Sequence, residues 1–413
     1  MTAQPPGALE GLRVVELSSE RSAWAGKLLA DMGAEVIVVE PPAGDPMRGY
    51  GPFLDDQPGP ERSLYWWHYN TSKLGVTLDL FDPADKLRFT RLIANADLFI
   101  EAEDPGHLES LGLSYRELCE LREDLIAVSI TPFGRADPRS LEPATDLTVL
   151  AGGGPVWNCG YDDHTLPPVR GGGNQGYHTA CHYAVMSALV ALLVRDQTGV
   201  GQHVDVNMHA AANVTTEAGS YDWLVAGSTV KRQTGRHAAG SPTLPTQIAC
   251  ADGRHVNTGV PPIRPPHFRE LHDWMKELDL AAEFPEAFLL DLGAEREFID
   301  LSKIATDPEL QAIFGAGREA QNLVASRLSA TDFFIGSQQR GLPVGAIYSP
   351  DEVMDDPHFA ARGFRVEVEH PELGRSFVYP GAPYRLEASP WRIGRRAPML
   401  GEHNQMIFEA LDG

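Results

Sequence analysis

Apolar positions along the first 130 residues alternate between short continuous runs and runs spaced at helical intervals. The continuous runs are typical of strands buried on both faces and lie at residues 12–17, 35–40, 97–100 and 125–130. The helical runs between them lie at residues 22–32, 83–94 and 115–122. Strands and helices that alternate in this way form parallel sheets with right-handed crossovers. The sequence therefore predicts an α/β fold with a Rossmann-like, doubly wound parallel sheet.

A second pattern, between residues 167 and 208, predicts a loop, a buried helix, a turn and a strand in succession. Glycine-rich residues 171–176 open onto the apolar run Tyr183–Val194, which ends at the turn residues 198–201. Apolar and polar residues then alternate over 203–207, as in a strand. The apolar run is well short of the ~20 residues that span a bilayer. We therefore expect a core helix and no membrane partner.

The charge and cysteine content narrow the classes of partner. The 413-residue chain has 34 Lys and Arg against 57 Asp and Glu, a formal net charge of −23. This balance disfavours nucleic acid and anionic membranes as partners. Its four cysteines lack metal-site spacing, so we expect no metal and reduced thiols. The N-terminus lacks the features of a secretory signal, so a cytoplasmic location is expected.

No dinucleotide-binding loop follows the first predicted strand, where the sequence reads Leu-Ser-Ser-Glu-Arg-Ser-Ala-Trp. The triple glycines at 152–154 and 171–173 lack the strand-then-helix context that such a loop requires. Nicotinamide chemistry is therefore not expected, and Ser-His-Asp hydrolase signatures are absent as well.

Several motifs together resemble one family. The residues Arg195, Thr198-Gly199, Gly201-Gln202 and Val204-Asp205-Val206 follow the turn Pro168-x-Arg170-x-Gly172. The chain also has the β-α-β opening and the motif Asn70-Thr71-Ser72-Lys73. Together these motifs resemble those of the family III CoA-transferases, the CaiB/BaiF group. This group includes the α-methylacyl-CoA racemases. The resemblance spans essentially the whole chain.

The resemblance implies an acyl-CoA thioester and a carboxylic acid acceptor as substrates. It also implies an interlocked homodimer in which both chains build each site. Together with the length of the chain, it implies the following organisation: a large Rossmann-like domain at 1–208, a linker helix at 209–230, a small α+β domain at 231–330, and a C-terminal part at 331–413 that returns to the large domain.

The same resemblance implies where coenzyme A is bound. The implied cofactor-binding residues are Ala23, Arg48, Lys73, Ala102 and Phe133. The chain departs from the family pattern at two of these places. Trp24 and Ala25 replace the Gly-Pro of an Ala-Gly-Pro turn, and residues 101–106 read Glu-Ala-Glu-Asp-Pro-Gly where the family has Glu-Asn-Phe-x-Pro-Gly. The acidic side chains of Glu103 and Asp104 would repel the phosphate groups of CoA and weaken its binding.

The expected catalytic residues are Tyr177 and His178. Counting back from Thr198-Gly199 without a gap, Tyr177 occupies the position of the family's aspartate nucleophile. A phenol cannot form the acid anhydride of the transferase reaction, but it can donate a hydrogen bond to a thioester oxyanion. Thr145 stands where the racemases have histidine.

These residues suggest a family III CoA-transferase-like protein with atypical chemistry. A non-catalytic CoA-ester-binding or scaffold homologue, or an acyl-CoA isomerase or hydrolase-type relative, remains an alternative. Tyr177 as simple packing at a domain junction remains open as well.

Overall fold

The computed structural model describes residues 5–258, 262–300, 303–304 and 306–412. Its contacts divide the chain into two compact units. The first unit comprises residues 1–157, 169–220 and 354–413, and the second comprises 158–168 and 221–353. The domain boundaries at 208, 230 and 330 expected from the sequence stay predictions.

Within the described residues, the strands are β1 (Arg13–Leu17), β2 (Glu35–Glu40), β3 (Leu74–Thr77), β4 (Leu98–Glu101), β5 (Ile126–Thr131), β6 (His203–Asn207), β7 (Lys231–Gln233), β8 (Arg236–Ala239), β9 (Gln247–Ala249), β10 (His255–Asn257), β11 (Gly345–Ala346), β12 (Arg365–His370) and β13 (Arg375–Pro380). The first six form one parallel sheet in the order β3-β2-β1-β4-β5-β6. This confirms the predicted α/β class and its parallel sheet.

The α-helices of the described residues are α1 (Ala23–Asp31), α2 (Leu64–Tyr69), α3 (Pro83–Ala94), α4 (His107–Ser110), α5 (Tyr115–Leu121), α6 (Asp146–Gly153), α7 (Gln175–Thr198), α8 (Met208–Asn213), α9 (Glu217–Tyr221), α10 (Pro265–Glu277), α11 (Ala287–Glu295), α12 (Pro308–Ala325), α13 (Ala330–Gln339), α14 (Pro350–Asp355), α15 (Pro357–Arg362) and α16 (Asn404–Asp412). Local sequence explains their ends. Asp82 caps α3 by accepting hydrogen bonds from the Ala84 and Asp85 amides, and Gly199 ends α7 in the left-handed conformation, with φ 73°.

The sheet of the first unit is buried on both faces. Successive residues of β1 show this, because Val14 packs in the core on the α7 side whereas Val15 packs in the core beneath α3. Both side chains are fully buried. The alternation of side chains along a strand thus explains why these strands have continuous apolar sequences.

The strand order reverses between β1 and β4. β1 pairs with β2 on one side and with β4 on the other, and all three run parallel. In open α/β sheets the crevice outside the carboxyl ends of the strands at such a point is the usual ligand site. The segments that follow Leu17 and Glu101 therefore lie where a site is expected.

The C-terminal segment packs on the edge of this sheet. The Gly75 amide of β3 donates to His403 Nδ1 at 3.0 Å, and the Thr77 amide donates to Asn404 Oδ1 at 2.8 Å. The carbonyl of Pro398 accepts a hydrogen bond from Trp66 Nε1 at 3.0 Å. Residues 398–404 are thereby fixed to the first quarter of the chain.

The second unit has its own core. Three helices, α10, α11 and α12, pack around the fully buried Phe268. Two glycines, Gly293 and Gly317, allow this packing, since a Cβ on either one would lie 2.8 Å from the Phe268 ring. A short antiparallel sheet in the order β11-β10-β9 completes the unit.

Among the described residues, α7 alone is long and apolar enough to cross a membrane by length and composition. It includes the apolar run predicted at 183–194 and contributes residues to the core of the first unit. The absence of a membrane partner and the cytoplasmic location stay expectations.

Candidate functional site

The first turn of α7 is held by a carboxylate from a neighbouring helix. Asp146, the first residue of α6, accepts hydrogen bonds from the Gly176 amide at 2.8 Å and from the Tyr177 amide at 3.1 Å. Its other oxygen is 3.3 Å from Arg170 Nη1. The amides at a helix start lack partners within the helix and favour a negative charge. Asp146 therefore anchors the segment that carries Tyr177.

The Tyr177 side chain lies in the core. It is 3% exposed and packs among the apolar residues on the α7 side of the sheet. Burial and the nearby charge of Glu20 raise the pKa of its phenol, while the Arg21 guanidinium against the phenol lowers it. The phenol therefore stays protonated at neutral pH, so it can donate a hydrogen bond but cannot act as a carboxylate nucleophile.

His178 belongs to a cluster of aromatic and imidazole rings. Its ring stacks on Trp24 with centroids 4.6 Å apart, and its Nε2 shares a 2.8 Å hydrogen bond with the Tyr69 hydroxyl. The other rings stacked on or bonded to Trp24 are His68, at 5.8 Å, and His182, whose Nε2 accepts from the indole at 3.2 Å. Burial lowers the pKa of both His68 and His178 to about 4. Both rings are therefore neutral at pH 7.

The loop between β1 and α1 meets α7 directly. Cys181 lies one turn after Tyr177, and its Sγ donates to the Arg21 carbonyl at 3.2 Å. The Arg21 guanidinium reaches Asp104, in the segment after β4, at 3.3 Å. This loop thus bridges the two strands at which the sheet order reverses. Glu20, in the same loop, is half-buried, and its charge raises the pKa of Tyr177.

Glu20 and Arg21 were not identified as site residues from the sequence. The signal that points to them is their position immediately after the first strand of a parallel sheet, where α/β proteins bind ligands. The ring cluster around Trp24 was missed because its members come from α1, α2 and α7 and are distant in sequence.

The two cationic side chains expected to contact CoA lie inside the protein. Lys73 is fully buried, with its Nζ 2.8 Å from Glu16 and 3.0 Å from the carbonyl of Ala23. Arg48 is 3% exposed and forms a two-point ion pair with Glu40 at 2.6 and 2.8 Å. Each side chain is therefore already bound to a carboxylate, and the phosphate contact predicted for Lys73 stays untested.

The other expected cofactor-binding positions follow strands. Ala23 begins α1 and is fully buried, and Ala102 is the residue directly after β4 and is 4% exposed. Phe133 follows β5, where its ring stacks on His209 with centroids 4.3 Å apart and its carbonyl accepts from Asn207 at 2.7 Å. All three lie at the carboxyl-end edge of the sheet.

The site thus consists of an anchored helix start, neutral rings, protonated phenols and one half-buried carboxyl group at the point where the sheet order reverses. Hydrogen-bond donors in such a setting can stabilise an oxyanion, and a carboxylate can attack an acyl group. The arrangement is therefore suited to acyl transfer.

Comparisons with known proteins identify the family of the chain. Residues 9–404 match the sequence profile of CoA-transferase family III. The chain is 35% identical to the succinyl-CoA:(R)-benzylsuccinate CoA-transferase subunit BbsE of Thauera aromatica, over 96% of this chain and 92% of that protein. It is 31% identical to the succinyl-CoA–D-citramalate CoA-transferase of Chloroflexus aurantiacus, over 99% and 95% of the two chains.

The fold has a solved counterpart. A CaiB/BaiF family protein from Brucella suis superposes with a TM-score of 0.78 at 24% identity, covering 99% of this chain and all of that one. The similarity extends over both units. With the match to the family profile, it confirms the resemblance indicated by the motifs at 70–73 and 195–206. The chain belongs to CoA-transferase family III.

Proposed function

We propose that this protein transfers coenzyme A from the thioester of a small dicarboxylic acid, such as succinyl-CoA, to a second carboxylic acid. The observation that carries the proposal is similarity over the full length to relatives named for this reaction. The described site supports it, because Glu20 follows β1 where the sheet order reverses and its charge acts on the protonated phenol of Tyr177 on α7.

CoA binding in this proposal relies on the backbone. The ammonium of Lys73 and the guanidinium of Arg48 are committed to Glu16 and Glu40. We propose that these two side chains stabilise the backbone around the site through their buried ion pairs. The main chain near Ala23, Ala102 and Phe133 then contacts the coenzyme. The Lys73 Nζ, which donates to the Ala23 carbonyl, then fixes one of these segments.

A second candidate is a transferase subunit whose nucleophile comes from another chain. The relative from Thauera aromatica is named as a subunit. Several apolar side chains of α7 are exposed in this single chain, including Met186 at 53%, Val190 at 55% and Leu193 at 63%. Their spacing places them along one side of the helix. We propose that a second chain of the same family, identical or homologous, covers this stripe, as in the interlocked dimer expected from the resemblance.

The test is a transfer assay on the purified protein. Succinyl-CoA, acetyl-CoA and formyl-CoA serve as donors, and benzylsuccinate, citramalate, mesaconate, glutarate and oxalate serve as acceptors. New CoA esters are measured by mass spectrometry. We expect at least one acceptor ester to form, and light scattering on the same sample reports the oligomeric state.

The alternatives give different results in this assay. Free CoA and free acid without an acceptor ester indicate a hydrolase-type relative. Acyl-CoA binding by calorimetry without any turnover indicates a non-catalytic homologue or a subunit that needs a homologous partner chain. No binding at millimolar acyl-CoA excludes the proposed function altogether.

A further inference from the structure

The carboxylates near the loop after β1 differ in how fully they are bound. Asp146 holds the helix start and faces Arg170. Asp45 accepts from the Ser18 hydroxyl at 2.5 Å and from the Met47 amide at 2.7 Å, and Asp104 pairs with Arg21. Within the described residues, the Glu20 carboxylate has neither a hydrogen bond nor an ion pair of its own. It is therefore a carboxylate without a bound partner at this place.

The backbone fixes Glu20 against α7. The Ser19 carbonyl accepts from the amides of Ser22 and Ala23 at 3.1 and 2.9 Å, which turns the chain tightly around Glu20. The carbonyl oxygen of the next residue, Arg21, accepts a hydrogen bond from the Cys181 thiol. Because Cys181 and Tyr177 are four residues apart on one helix, they share a face. The loop that carries Glu20 is thereby attached to the face that carries Tyr177.

Three phenols lie within electrostatic range of this carboxyl group. The charge of Glu20 raises the pKa of Tyr50, Tyr65 and Tyr177, in each case after the larger effect of burial. All three hydroxyl groups are therefore protonated at neutral pH and available as donors. Burial raises the pKa of Glu20 itself, the Arg21 charge opposes this shift, and the charges of Asp45 and Asp146 add to it. A carboxylate that is partly desolvated and weakly hydrogen-bonded is a better nucleophile than a solvated one.

We infer that Glu20 is the carboxylate nucleophile of this protein, taking the role that Tyr177 cannot perform, with the surrounding phenols donating to the oxyanion. The inference rests on the proposed transferase function. It relocates the reacting carboxyl group from the first turn of α7 to the loop after β1, which is bonded to α7 through Arg21 and Cys181.

The reaction balances without a further reactant. A Glu20 oxygen attacks the thioester carbonyl of the donor, the C–S bond breaks, and CoA leaves as thiolate with an acyl-glutamyl anhydride formed. The thiolate attacks the Glu20 carbonyl, which releases the donor acid and leaves a glutamyl-CoA thioester. The acceptor carboxylate attacks this thioester and again releases CoA thiolate, which then attacks the acceptor's carbonyl. The acceptor-CoA ester forms and the Glu20 carboxylate returns.

The test is to find CoA on the protein. The full chain is mixed with succinyl-CoA without an acceptor, quenched in acid and cleaved with trypsin, which releases residues 14–21 as one peptide. That peptide contains Glu16 and Glu20, and fragment ions distinguish the two. We expect the mass of a CoA thioester on Glu20, converted to a hydroxamate by hydroxylamine.

Variants complete the test. Glu20→Gln should carry no label and lose CoA transfer at least about a thousandfold, as expected for removal of a nucleophile. Glu20→Asp should be labelled and retain part of the activity, and the exposed Glu10→Gln serves as the control with unchanged transfer.

Transfer that persists in Glu20→Gln, or a label on another residue or another chain, overturns the assignment to Glu20 and leaves the transferase function standing. Absence of both label and transfer in the unmodified protein overturns the assignment as well, and absence of acyl-CoA binding overturns the function itself. If Glu20→Gln fails to fold, the position of the label in the unmodified protein decides the question.

Discussion

The Glu16 carboxylate and the Lys73 ammonium lie 2.8 Å apart, and both side chains are fully buried. Lys73 also donates to Asn70 Oδ1 at 2.9 Å and to the Ala23 carbonyl at 3.0 Å. Burial is the main reason that the pKa of Glu16 is raised, and the ammonium beside it opposes this shift. The lysine of the Asn-x-x-Lys motif therefore joins β1, the start of α1 and the segment before β3.

Removal of the Lys73 charge is expected to destabilise the protein strongly. Lys73→Met leaves a buried carboxylate without its cation, which typically costs about 3–5 kcal/mol. The double variant Glu16→Gln, Lys73→Met should recover much of this loss, because no uncompensated charge remains. Urea unfolding at pH 7 measures both. A stable Lys73→Met protein with weakened CoA binding would instead favour a phosphate contact.

The close packing of Gly26 against the same ion pair gives a second prediction. A Cβ at Gly26 would lie 1.9 Å from Glu16 Oε2 and 2.9 Å from Lys73 Nζ. Because neither partner has free space, Gly26→Ala should destabilise the fold by about 1–3 kcal/mol or more. Gly315→Ala is the matched control, since that helical glycine has open space and alanine should stabilise it by up to ~1 kcal/mol. Equal effects of the two substitutions on the thermal midpoint would contradict this packing.

The neutral imidazoles around Trp24 predict a dependence of stability on pH. The pKa of His68 and of His178 is about 4 in the folded protein, below the ordinary value of 6.5. A depressed histidine pKa contributes stability above pH 6.5, and this contribution is lost as the pH falls to 4. Replacing His178 with Gln should reduce the acid-induced loss of unfolding free energy by roughly 1–3 kcal/mol.

Urea titrations at pH 7, 5.5 and 4 measure this difference. The exposed His358→Gln variant should follow the unmodified protein across the same range. Parallel curves for all three proteins would mean that His178 is not kept neutral by its surroundings.

The position of Tyr177 in the core predicts opposite results for two substitutions. Tyr177→Phe keeps the ring and should leave stability within about 1 kcal/mol, with a loss of activity near tenfold if the phenol donates to the oxyanion. Tyr177→Asp removes a buried ring and adds a charge, so we expect a loss of about 3–5 kcal/mol and no gain in CoA transfer. Calorimetry and the transfer assay check both. A stable Tyr177→Asp protein with increased transfer would place the nucleophile on α7.

The sequence predicted the sheet and α7 well because local patterns determine them. Continuous apolar runs identified β1, β2, β4 and β5, and the turn around Gly199 identified the end of α7. The interior contacts of Lys73 and Arg48 could not be predicted in this way. Whether a cation faces a ligand or a buried carboxylate depends on tertiary packing. Glu16 is distant from Lys73 in sequence, and nothing in the local pattern pairs Glu40 with Arg48 eight residues later.

The ring cluster illustrates the same limit. Trp24 was noted as a departure from the family turn, but its contacts with His68 and His178 arise only when α1, α2 and α7 pack together. The place of Glu20 beside Tyr177 also depends on the tertiary contact between Arg21 and Cys181.

Oxygen transfer tests most directly whether a protein carboxylate carries CoA. The purified protein is given succinyl-CoA and an acceptor acid whose carboxylate is labelled with ¹⁸O, and the released succinate is analysed by mass spectrometry over several turnovers. A glutamyl thioester predicts that ¹⁸O passes from the acceptor to the protein and then into succinate, and that Glu20→Gln abolishes this transfer. Succinate that takes its new oxygen from solvent water, or none at all, would contradict the account.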